Sequence, residues 1–462
     1  MVSLTNWERH ANTSLLTHST VAKALAPASI VRNCRAVGHH WRDSFWSPAN
    51  TLLTFLLQVL DGAKTLRAAV ALLLVQLAGR GQADLPSPDP SAYCQARRRL
   101  PLPVLTRLLR QLVRQMRPLV TDRTGWLGRR VWVLDGSSVS MPDTPELQKA
   151  FPQPAGQAPG CGFPVAQFVA LFCWATGAIV DLAIDTLRPH ELTLFRRLWH
   201  YFATGDVVLA DRAYCSYVDM ARLRARGVDC VLRLHHRRKS DFRQGRSLGT
   251  DDRLVTWRRP ERWLPSCGLS RQAFEHLPET LVIRLVRISD TPRGFRSQTI
   301  VVVTTLVDPV QTPAEEIRAL YRDRWTIELN LRSIKIGLGM DILRGQSVDV
   351  VHKEIAMHLL AYNLIRLLMW QAARVHGRDL HRLSFVGTLH RLRAVLPLLL
   401  ARRGQRLAVA LLECLLDWIA TDLVPCRPDR VEPRRVKRRP KQYSRLNKPR
   451  QWYHHHPDTT GR

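Results

Sequence analysis

The chain has 462 residues, of which 45% are hydrophobic and 23% are charged, and its formal net charge is +31. This length and composition predict a folded protein with a sizeable core and exclude a disordered chain. So large a positive charge destabilises a compact state through self-repulsion unless a polyanion is a normal partner. Nucleic acid is the first such partner to consider.

The sequence carries no signal for a membrane or for an oxidising compartment. It has no apolar run of about 18 residues, and its first residues, MVSLTNWERH, lack the basic-then-apolar order of a signal peptide. Its nine cysteines include no C-x-x-C pair, which favours reduced thiols over a disulfide framework or a zinc module. We therefore expect a cytoplasmic protein with no membrane partner and no structural metal.

The first part of the chain is predicted to be helical. Residues 51–77 are rich in leucine and alanine at helical spacing, and their charges are too frequent for a membrane span. After a PSPDP loop, the stretch SAYCQARRRL predicts a short helix that carries Arg97, Arg98 and Arg99. Such a helix fits either a DNA groove or a solvated basic face, and the overall charge favours DNA.

Short apolar strands begin after Gly128. The stretch RVWVLD ends at Asp135, two further strands flank a Thr-Gly turn, and VVLAD ends at Asp211. With helical spacing at 190–203 and 214–226 and a last strand at 228–234, the predicted order is β-β-β-α-β-α-β, that of a ribonuclease-H-like fold. Right-handed crossovers then make the strands ending at Asp135 and Asp211 parallel neighbours, so their carboxylates emerge at the same edge of the sheet.

The next segment predicts strands again, in LVTW, TLVIRLVRI and QTIVVVTTLV, with a DTPRG turn. Thr312, Pro313 and Glu315 then predict a helix from about residue 313 to Lys335, because they form a capping box with proline at the first helical position. The complete prediction is an α/β fold with these segments: a helical DNA-binding domain (1–125), the first part of a ribonuclease-H-like core (126–234), a β-rich insertion (235–311), a core helix carrying a glutamate (312–350), a C-terminal helical region (351–426) and a flexible basic tail (427–462).

The predicted helix after residue 313 concentrates chemical groups on one side. At about 100° per residue, Tyr321, Arg324, Glu328 and Lys335 fall within roughly 60° of one another on the helix circumference. A separate apolar stripe lies beside them, formed by Ile327, Leu331, Ile334 and Leu338. We therefore expect the helix to pack on a core with one face while it presents a tyrosine, two cations and a carboxylate with another.

Two strand-end aspartates and a glutamate on a later helix, in a strongly basic protein, suggest a phosphodiester-cleaving site. Oxygen ligands select hard cations, and adjacent carboxylates repel each other unless a cation lies between them. Two Mg²⁺ ions about 4 Å apart can stabilise both the attacking and the leaving oxygen of an in-line displacement. Asp135, Asp211 and Glu328 are therefore the predicted metal ligands and catalytic residues, with Mn²⁺ as a substitute for Mg²⁺.

The spacing Y-x2-R-x3-E-x6-K is matched at every position by Tyr321, Arg324, Glu328 and Lys335. With VLDGSSVSMPDTPELQKAFP, GCGFP and GDVVLADRAYCSY, it resembles the DDE transposases of bacterial insertion sequences, specifically insertion-sequence family four. The resemblance spans roughly residues 50–370. It implies that Asp135, Asp211 and Glu328 are the catalytic triad, and that Tyr321, Arg324 and Lys335 contact phosphates at the transposon end.

The resemblance further implies Mg²⁺-dependent cut-and-paste transposition: cleavage at terminal inverted repeats, then strand transfer into target DNA. Its implied partners are double-stranded DNA and a second copy of the chain in a homodimeric synaptic complex, within a bacterial cytoplasm and in association with the nucleoid. In relatives a tryptophan of the β-rich insertion accommodates a flipped base, a role for which Trp257 and Trp263 are candidates here. Packing in a core is the more common role for a tryptophan in a β-rich segment, and it stays the alternative for each.

Two other functions remain open from the residues. A transposase-derived DNA-binding regulator would keep the charge and the helical domain without catalysis, but the intact carboxylates argue against it. A ribonuclease-H-like nuclease would hydrolyse DNA without joining it, and would not require the tyrosine, arginine and lysine that accompany the glutamate.

Overall fold

The computed structural model of the protein describes residues 26–79, 81, 85–116, 125–238, 240–290, 298–401, 405–424 and 446–456. The chain divides into two units, which are described separately below. A helical unit combines Met1–Leu119 with Arg332–Pro425, and a sheet unit combines Val120–Leu331 with Cys426–Arg462. No helix among the described residues is long and apolar enough to cross a membrane.

The helical unit draws its helices from both ends of the chain. The N-terminal helices are α1 (Pro27–Arg35), α2 (Pro48–Leu60), α3 (Leu66–Gly79), α4 (Ser91–Arg99) and α5 (Leu102–Met116). The C-terminal helices are α11 (Val348–Val375), α12 (Phe385–Ala401) and α13 (Gln405–Thr421), so numbered because five helices of the sheet unit precede them. The sequence predicts two separate helical regions here, whereas the structure joins them in one core.

Helix α11 is the centre of that core. It is buried almost all round, and it packs against α2 and α5 from the N-terminal part and against α12 and α13 from the C-terminal part. Most of its buried side chains are apolar, but Lys353, Glu354 and Arg366 are buried with them, so the helix lies inside the unit as a whole. Helix α5 buries one stripe with the spacing expected of an amphipathic helix: Val104, Leu105, Leu108, Leu109 and Leu112.

The described part of the sheet unit contains one mixed sheet of nine strands. Its core strands are β1 (Val131–Ser140), β2 (Val165–Cys173), β3 (Ile179–Thr186), β4 (Val207–Ala210) and β5 (Asp229–Arg233). Helix α6 (Pro145–Ala150) follows β1, α7 (Glu191–Arg197) follows β3, and α8 (Tyr217–Ala225) follows β4. Apart from the short α6, this is the predicted element order.

Strands β1 and β4 are parallel neighbours, as predicted, with Val131 opposite Val207 and Val133 opposite Leu209. One boundary differs from the prediction. β1 does not end at Asp135 but continues to Ser140, because its antiparallel pairing with β2 extends to Ser140 opposite Val165. The parallel pairing stops at Val133, so Asp135 still lies just beyond the carboxyl end of the β1–β4 ladder.

The predicted β-rich insertion extends the same sheet. It comprises β6 (Arg246–Gly249), β7 (Asp252–Arg258), the short helix α9 (Arg271–Glu275), β8 (Thr280–Asp290) and β9 (Gln298–Thr304). The strand order is β3-β2-β1-β4-β5-β9-β8-β7-β6, with β9 antiparallel to β5. Strand β9 of the insertion thus pairs with the edge of β5, whose backbone N–H and C=O groups would otherwise lack hydrogen-bond partners. Most of the predicted DTPRG turn lies outside the described residues.

The predicted long helix becomes two elements. Helix α10 spans Ala314–Arg332 and is followed by a π-helical turn at Ser333–Gly337. The π turn has a wider repeat than an α-helix, so the spacing of 100° per residue used in the prediction does not apply beyond Arg332. In the apolar stripe Leu331, Ile334 and Leu338 are buried as predicted, while the side chain of Ile327 lies outside the described part.

Part of the predicted flexible tail is folded in the sheet unit. Helix α14 (Arg450–His455) lies in this stretch, and Arg450 pairs with Asp143 at 2.5 Å. The Arg450 guanidinium also donates to the carbonyls of Gly160 and Gly162, each at 2.9 Å, and lies 4.3 Å from the ring centroid of Phe163. Residues 446–456 therefore differ from the prediction. The more basic stretch 427–445 lies outside the described residues.

Candidate active site

Two predicted aspartates meet at the carboxyl edge of the parallel strands. Asp135 follows the last paired residues of the β1–β4 ladder, and Asp211 comes directly after β4. One oxygen of Asp211, Oδ1, is buried and accepts no hydrogen bond from the described residues. Asp135 Oδ1 accepts only from the backbone N–H of Gly136, at 3.0 Å. Neither carboxylate forms a direct ion pair with a described arginine or lysine, although Arg324 lies within electrostatic reach of both.

The pKa of Asp135 is raised to about 6. Burial is the largest cause, and the negative charges of Glu328 and Glu191 raise the pKa further, while Arg324 and the Gly136 N–H oppose the rise. Glu328 on α10 is therefore within electrostatic reach of Asp135. The fold brings together three carboxylates that lie 76 and 117 positions apart along the chain.

Glu328 differs from the two aspartates because it has a cation. Arg324 Nη2 donates to Glu328 Oε1 at 2.8 Å, one helical turn away. Burial acts to lower the pKa of Arg324, but Tyr321, Glu328 and Asp211 together raise it. The guanidinium is thus the internal counter-ion of this carboxylate cluster.

The chemical face of α10 is less open than the sequence predicts. Tyr321 is 5% exposed and Arg324 is 8% exposed, so the two residues contribute to packing as well as to the site. The Arg324 guanidinium lies 5.6 Å from the Tyr321 ring centroid, and burial raises the pKa of Tyr321 to about 12. Lys335 belongs to the helical unit, where it lies partly buried in the π-helical turn.

Two arginines, one on an insertion strand and one on α10, join the insertion to the start of this helix. Arg284 is fully buried; it pairs with Asp252 and donates to the Thr312 carbonyl at 2.6 Å, just before the helix begins. Arg318, on the first turns of α10, donates to the backbone carbonyls of Arg287 and Thr250. The insertion therefore fixes the helix that carries Glu328, a role that strand patterns alone do not reveal.

A fourth carboxylate, Glu191, lies in the same place and is missing from the sequence prediction. It is the first residue of α7, and its Oε1 lies 2.7 Å from the position that a Cβ on Gly136 would occupy. The only sequence signal is the pair of residues Asp135-Gly136, because a glycine next to a site aspartate allows another group to approach the backbone closely.

Comparison with known proteins places this geometry in a family. Residues 126–364, more than half of the chain, match the family model described as the transposase DDE domain. The chain belongs to this family. It is therefore a DDE transposase, an enzyme of DNA transposition that cleaves and transfers DNA strands.

Two individual proteins are similar to this transposase. It is 27% identical over 357 residues to transposase InsG for insertion sequence element IS4 of Escherichia coli strain K12, covering 77% of this chain and 78% of that protein. It also resembles a chain in the cryo-EM structure of a piggyBac transposase synaptic complex with hairpin DNA, with 8% identity and a TM-score of 0.40, covering 88% of this chain and 85% of that one.

The residues of the transposase site fit a hard divalent cation in chemistry but are not arranged as a ready ligand set. Its donors are carboxylate oxygens, and one of them, Asp211 Oδ1, is a buried acceptor without a partner among the described residues. Within the described ranges, however, no three His, Cys, Asp or Glu side chains converge closely enough to form a metal-binding group. The predicted set of Asp135, Asp211 and Glu328 is therefore not assembled as a metal site in this conformation, in which Glu328 is paired with Arg324.

The helical unit contains a basic and aromatic groove of about 490 Å³. Its lining includes the segment His39–Arg42 and, from α4, Arg99. Arg98 and Arg99 are exposed, which keeps them as DNA-contact candidates.

The prediction that Arg97 contacts DNA is wrong, because this residue is 7% exposed. It donates to Gln58 Oε1 at 3.1 Å and lies 5.0 Å from the Phe55 ring centroid. Its guanidinium holds α4 on α2 and is not available to a DNA groove.

The two candidate tryptophans of the insertion have different surroundings. Trp257, on β7, is covered by the guanidinium of Arg238, 4.0 Å from its ring centroid. Trp263 donates its indole N–H to the Leu269 carbonyl at 3.0 Å and lines a cavity of about 560 Å³ with several arginines, including Arg258 and Arg262. Both rings are partly exposed, so neither is simply a core residue.

Proposed function

We propose that this transposase moves an insertion sequence by a cut-and-paste route. It would cleave DNA at the terminal inverted repeats of its element and transfer the freed strands into target DNA. The observation that supports this proposal most strongly is the pair of aspartates at the carboxyl edge of β1 and β4, left without a cationic partner among the described residues in a protein of net charge +31. Where cations are so abundant, half-buried carboxylates without a direct ion pair favour a site kept for an external cation.

Asp135, Asp211 and Glu328 would hold two divalent cations, Mg²⁺ with Mn²⁺ as a substitute. When bound, these ions supply Lewis-acid stabilisation to the attacking and leaving oxygens of the phosphodiester. Glu328 Oε1 accepts a hydrogen bond from Arg324, so binding a cation through both oxygens of Glu328 would require Arg324 to move away. The released guanidinium is then able to bind a DNA phosphate, which is the role that the family resemblance assigns to Arg324 along with Tyr321 and Lys335.

The remaining parts of the proposal concern DNA and assembly. Arg98 and Arg99, with the groove that Arg99 lines, would contact the terminal repeat. The basic stretch 427–445 would contact phosphates without regard to sequence. Two copies of the chain would pair the two ends of the element in a synaptic complex. The protein would act in the bacterial cytoplasm, on DNA of the nucleoid.

The test uses purified full-length protein and linear DNA that carries the element's terminal repeats. In Mg²⁺ the wild type is expected to cut at the repeat ends and to join the freed 3′ ends to target DNA. Asp211→Asn is expected to bind the repeat but not to cut it, whereas Glu315→Gln, an exposed glutamate on the same helix as Glu328, should cut normally. Cutting without joining would instead identify a nuclease, and normal cutting by Asp211→Asn would refute the site.

A further inference from the structure

The groove of the helical unit is lined by aromatic rings as well as by cations. Most of its lining comes from the segment HHWRDSFW at 39–46, which joins α1 to α2, and the rest comes from α2 and the end of α4. Trp41 and Trp46 of this segment are half-buried in the lining, beside the buried side chains of Thr51 and Leu100. A volume of about 490 Å³ is in the range of sites for small organic ligands.

The segment that lines the groove is held at both ends by the helices it joins. At its start the His39 N–H donates to the Cys34 carbonyl on α1 at 3.0 Å. Near its end the side-chain amide of Asn50 on α2 donates to the Phe45 carbonyl at 2.7 Å. A ligand of this groove would therefore meet a largely ordered backbone, which lowers the entropic cost of binding.

Trp41 provides a flat aromatic surface in the groove. Its indole stacks with the His39 imidazole, with 5.8 Å between ring centroids and 29° between planes. Burial lowers the pKa of His39, and the positive charges of His40 and Lys353 lower it further, so the imidazole is neutral near pH 7. An indole supported in this way suits the face of a nucleobase, because every base has a π-face that stacks on an aromatic side chain.

Two exposed arginines, Arg42 and Arg99, also line the groove. Neither forms a hydrogen bond or an ion pair with a described residue, whereas the buried Arg97 of the same helix donates to Gln58. The groove lining contains no Asp or Glu side chain, although glutamates line the cavity of the insertion together with its arginines. The charge of the groove therefore favours an anionic ligand.

We propose that this groove binds an unpaired nucleotide of DNA, with the base stacked on Trp41 and the phosphates bound by Arg42 and Arg99. The inference rests on the proposed contact between this groove and the DNA of the terminal repeat, and it specifies the ligand as a single-stranded nucleotide. A base inside a duplex is covered by its neighbours on both faces, and exposing it costs least where the strand is already single. Strand cleavage leaves DNA ends at which base pairs open, so the proposed reaction supplies such nucleotides.

The first experiment compares two DNA probes on the full-length protein: a blunt terminal-repeat duplex, and the same duplex with a short single-stranded thymidine extension. The wild type is expected to bind the extended probe more tightly. Trp41→Ala should reduce this preference by about tenfold or more, because the stacking contact is lost, and Trp41→Phe should recover part of it. Trp418→Ala is the matched control, since this exposed tryptophan of α13 does not line the groove. Thermal melting checks that each variant is folded.

The arginines are tested with the same probes. Arg42→Gln and Arg99→Gln should each weaken binding of the extended probe, whereas Arg110→Gln, an exposed arginine of α5 outside the groove, should bind it as the wild type does. A probe with 5-iododeoxyuridine in the extension should cross-link to Trp41 on irradiation, because the reaction requires contact between the base and an aromatic side chain.

Several results would overturn the inference. These are an unchanged preference in folded Trp41→Ala, an equal affinity of the wild type for the two probes, and cross-links that lie only outside the groove. If cross-links to Trp41 form only after residues 1–25 are removed, the first part of the chain covers the groove and the inference is also wrong. Failure of the wild type to bind the blunt duplex would instead refute the proposed contact with the terminal repeat, so the two failures are distinguished.

Discussion

The two edges of the parallel strands in the sheet unit use the same residue types in opposite ways. At the amino edge, Asp206 precedes β4 and accepts from Arg130, from the Trp132 indole N–H and from the Ala203 N–H. At the carboxyl edge, Asp211 follows the same strand, and its Oδ1 has no partner among the described residues. One short strand thus separates a fully satisfied aspartate from an unsatisfied one.

The difference shows how stability and function are divided in this sheet. The amino edge also contains Asp229, which accepts from Arg129, Arg224 and Thr305 and whose pKa is lowered because these hydrogen bonds outweigh its burial. At the carboxyl edge the pKa of Asp135 is raised instead. The aspartates at the amino edge stabilise the fold through ion pairs with arginines. The aspartates at the carboxyl edge, which we propose to be catalytic, form no direct ion pair with a described residue.

The largest effect is expected at the carboxyl edge. Asp135→Asn, Asp211→Asn and Glu328→Gln should each reduce DNA cleavage in Mg²⁺ at least a thousandfold, because Lewis-acid stabilisation of a phosphoryl centre is worth several kcal/mol. Stability should not fall, since the first two changes remove repulsion. Cleavage assays, band-shift binding and thermal melting on the same preparations test this. A variant with a lowered melting temperature and normal cleavage would show that its residue stabilises the fold and does not take part in catalysis.

The amino edge should show the opposite result. Asp206→Asn leaves Arg130 without its ion pair and disturbs the acceptors of Trp132 and Ala203, and we expect the free energy of unfolding to fall by about 3 kcal/mol. Cleavage per folded molecule should stay near that of the wild type. Asp185→Asn is the control, because its pair with Arg197 is partly exposed and worth less than about 1 kcal/mol. Equal losses in the two variants would contradict the comparison.

Arg324 is a cation supplied to the carboxyl edge, and its removal should affect chemistry more than folding. Arg324→Ala and Lys335→Ala are each expected to lower cleavage about ten- to a hundredfold in folded protein, because phosphate positioning is lost. Lys335→Arg should restore activity only in part, and Tyr321→Phe should be milder. Arg322→Ala, whose partner Glu315 is exposed, is the control and should be neutral. Wild-type cleavage in both main variants would show that these cations only pair with neighbouring acids.

In the helical unit, exposure separates the three arginines of α4. Replacing Arg98 and Arg99 by alanine should reduce the preference for the terminal repeat over random DNA by about tenfold or more if they contact base edges. Arg97→Lys should leave that preference unchanged and lower stability, because Arg97 bonds to Gln58 inside the unit. Competition binding and thermal melting measure the two properties. If only Arg97→Lys lost the preference for the terminal repeat, Arg97 and not Arg98 or Arg99 would be the residue that reads DNA.

The smallest effect is expected from the basic stretch before α14. Neutralising its cations Arg434, Arg435, Lys437, Arg438 and Arg439 should weaken binding to all DNA equally. The slope of log affinity against log salt should flatten by roughly 0.9 for each DNA phosphate that the stretch no longer neutralises. Arg450→Ala removes a cation that is paired with Asp143, and it should leave the slope unchanged. An unchanged slope in the neutralised protein would exclude the stretch as a DNA arm.

Much of the sheet could be predicted because its information is local. Alternating apolar residues and turns indicated the order of β1 to β5, and the handedness of crossovers then made Asp135 and Asp211 neighbours. The partner of each arginine was not predictable in the same way. Arg97, Arg98 and Arg99 are adjacent and chemically identical in sequence, and only packing against Phe55 and Gln58 makes the first of them structural.

The sequence by itself determined the family signature, the strands that carry the aspartates and the positive charge that implies DNA, because these depend on residue type and spacing. Tertiary structure decided which charges are neutralised. It placed the Arg324–Glu328 pair of helix α10 within electrostatic reach of Asp135, and it brought Glu191 onto Gly136. Burial and distance between residues far apart in the chain set these electrostatic relations, and neither quantity is encoded in local pattern.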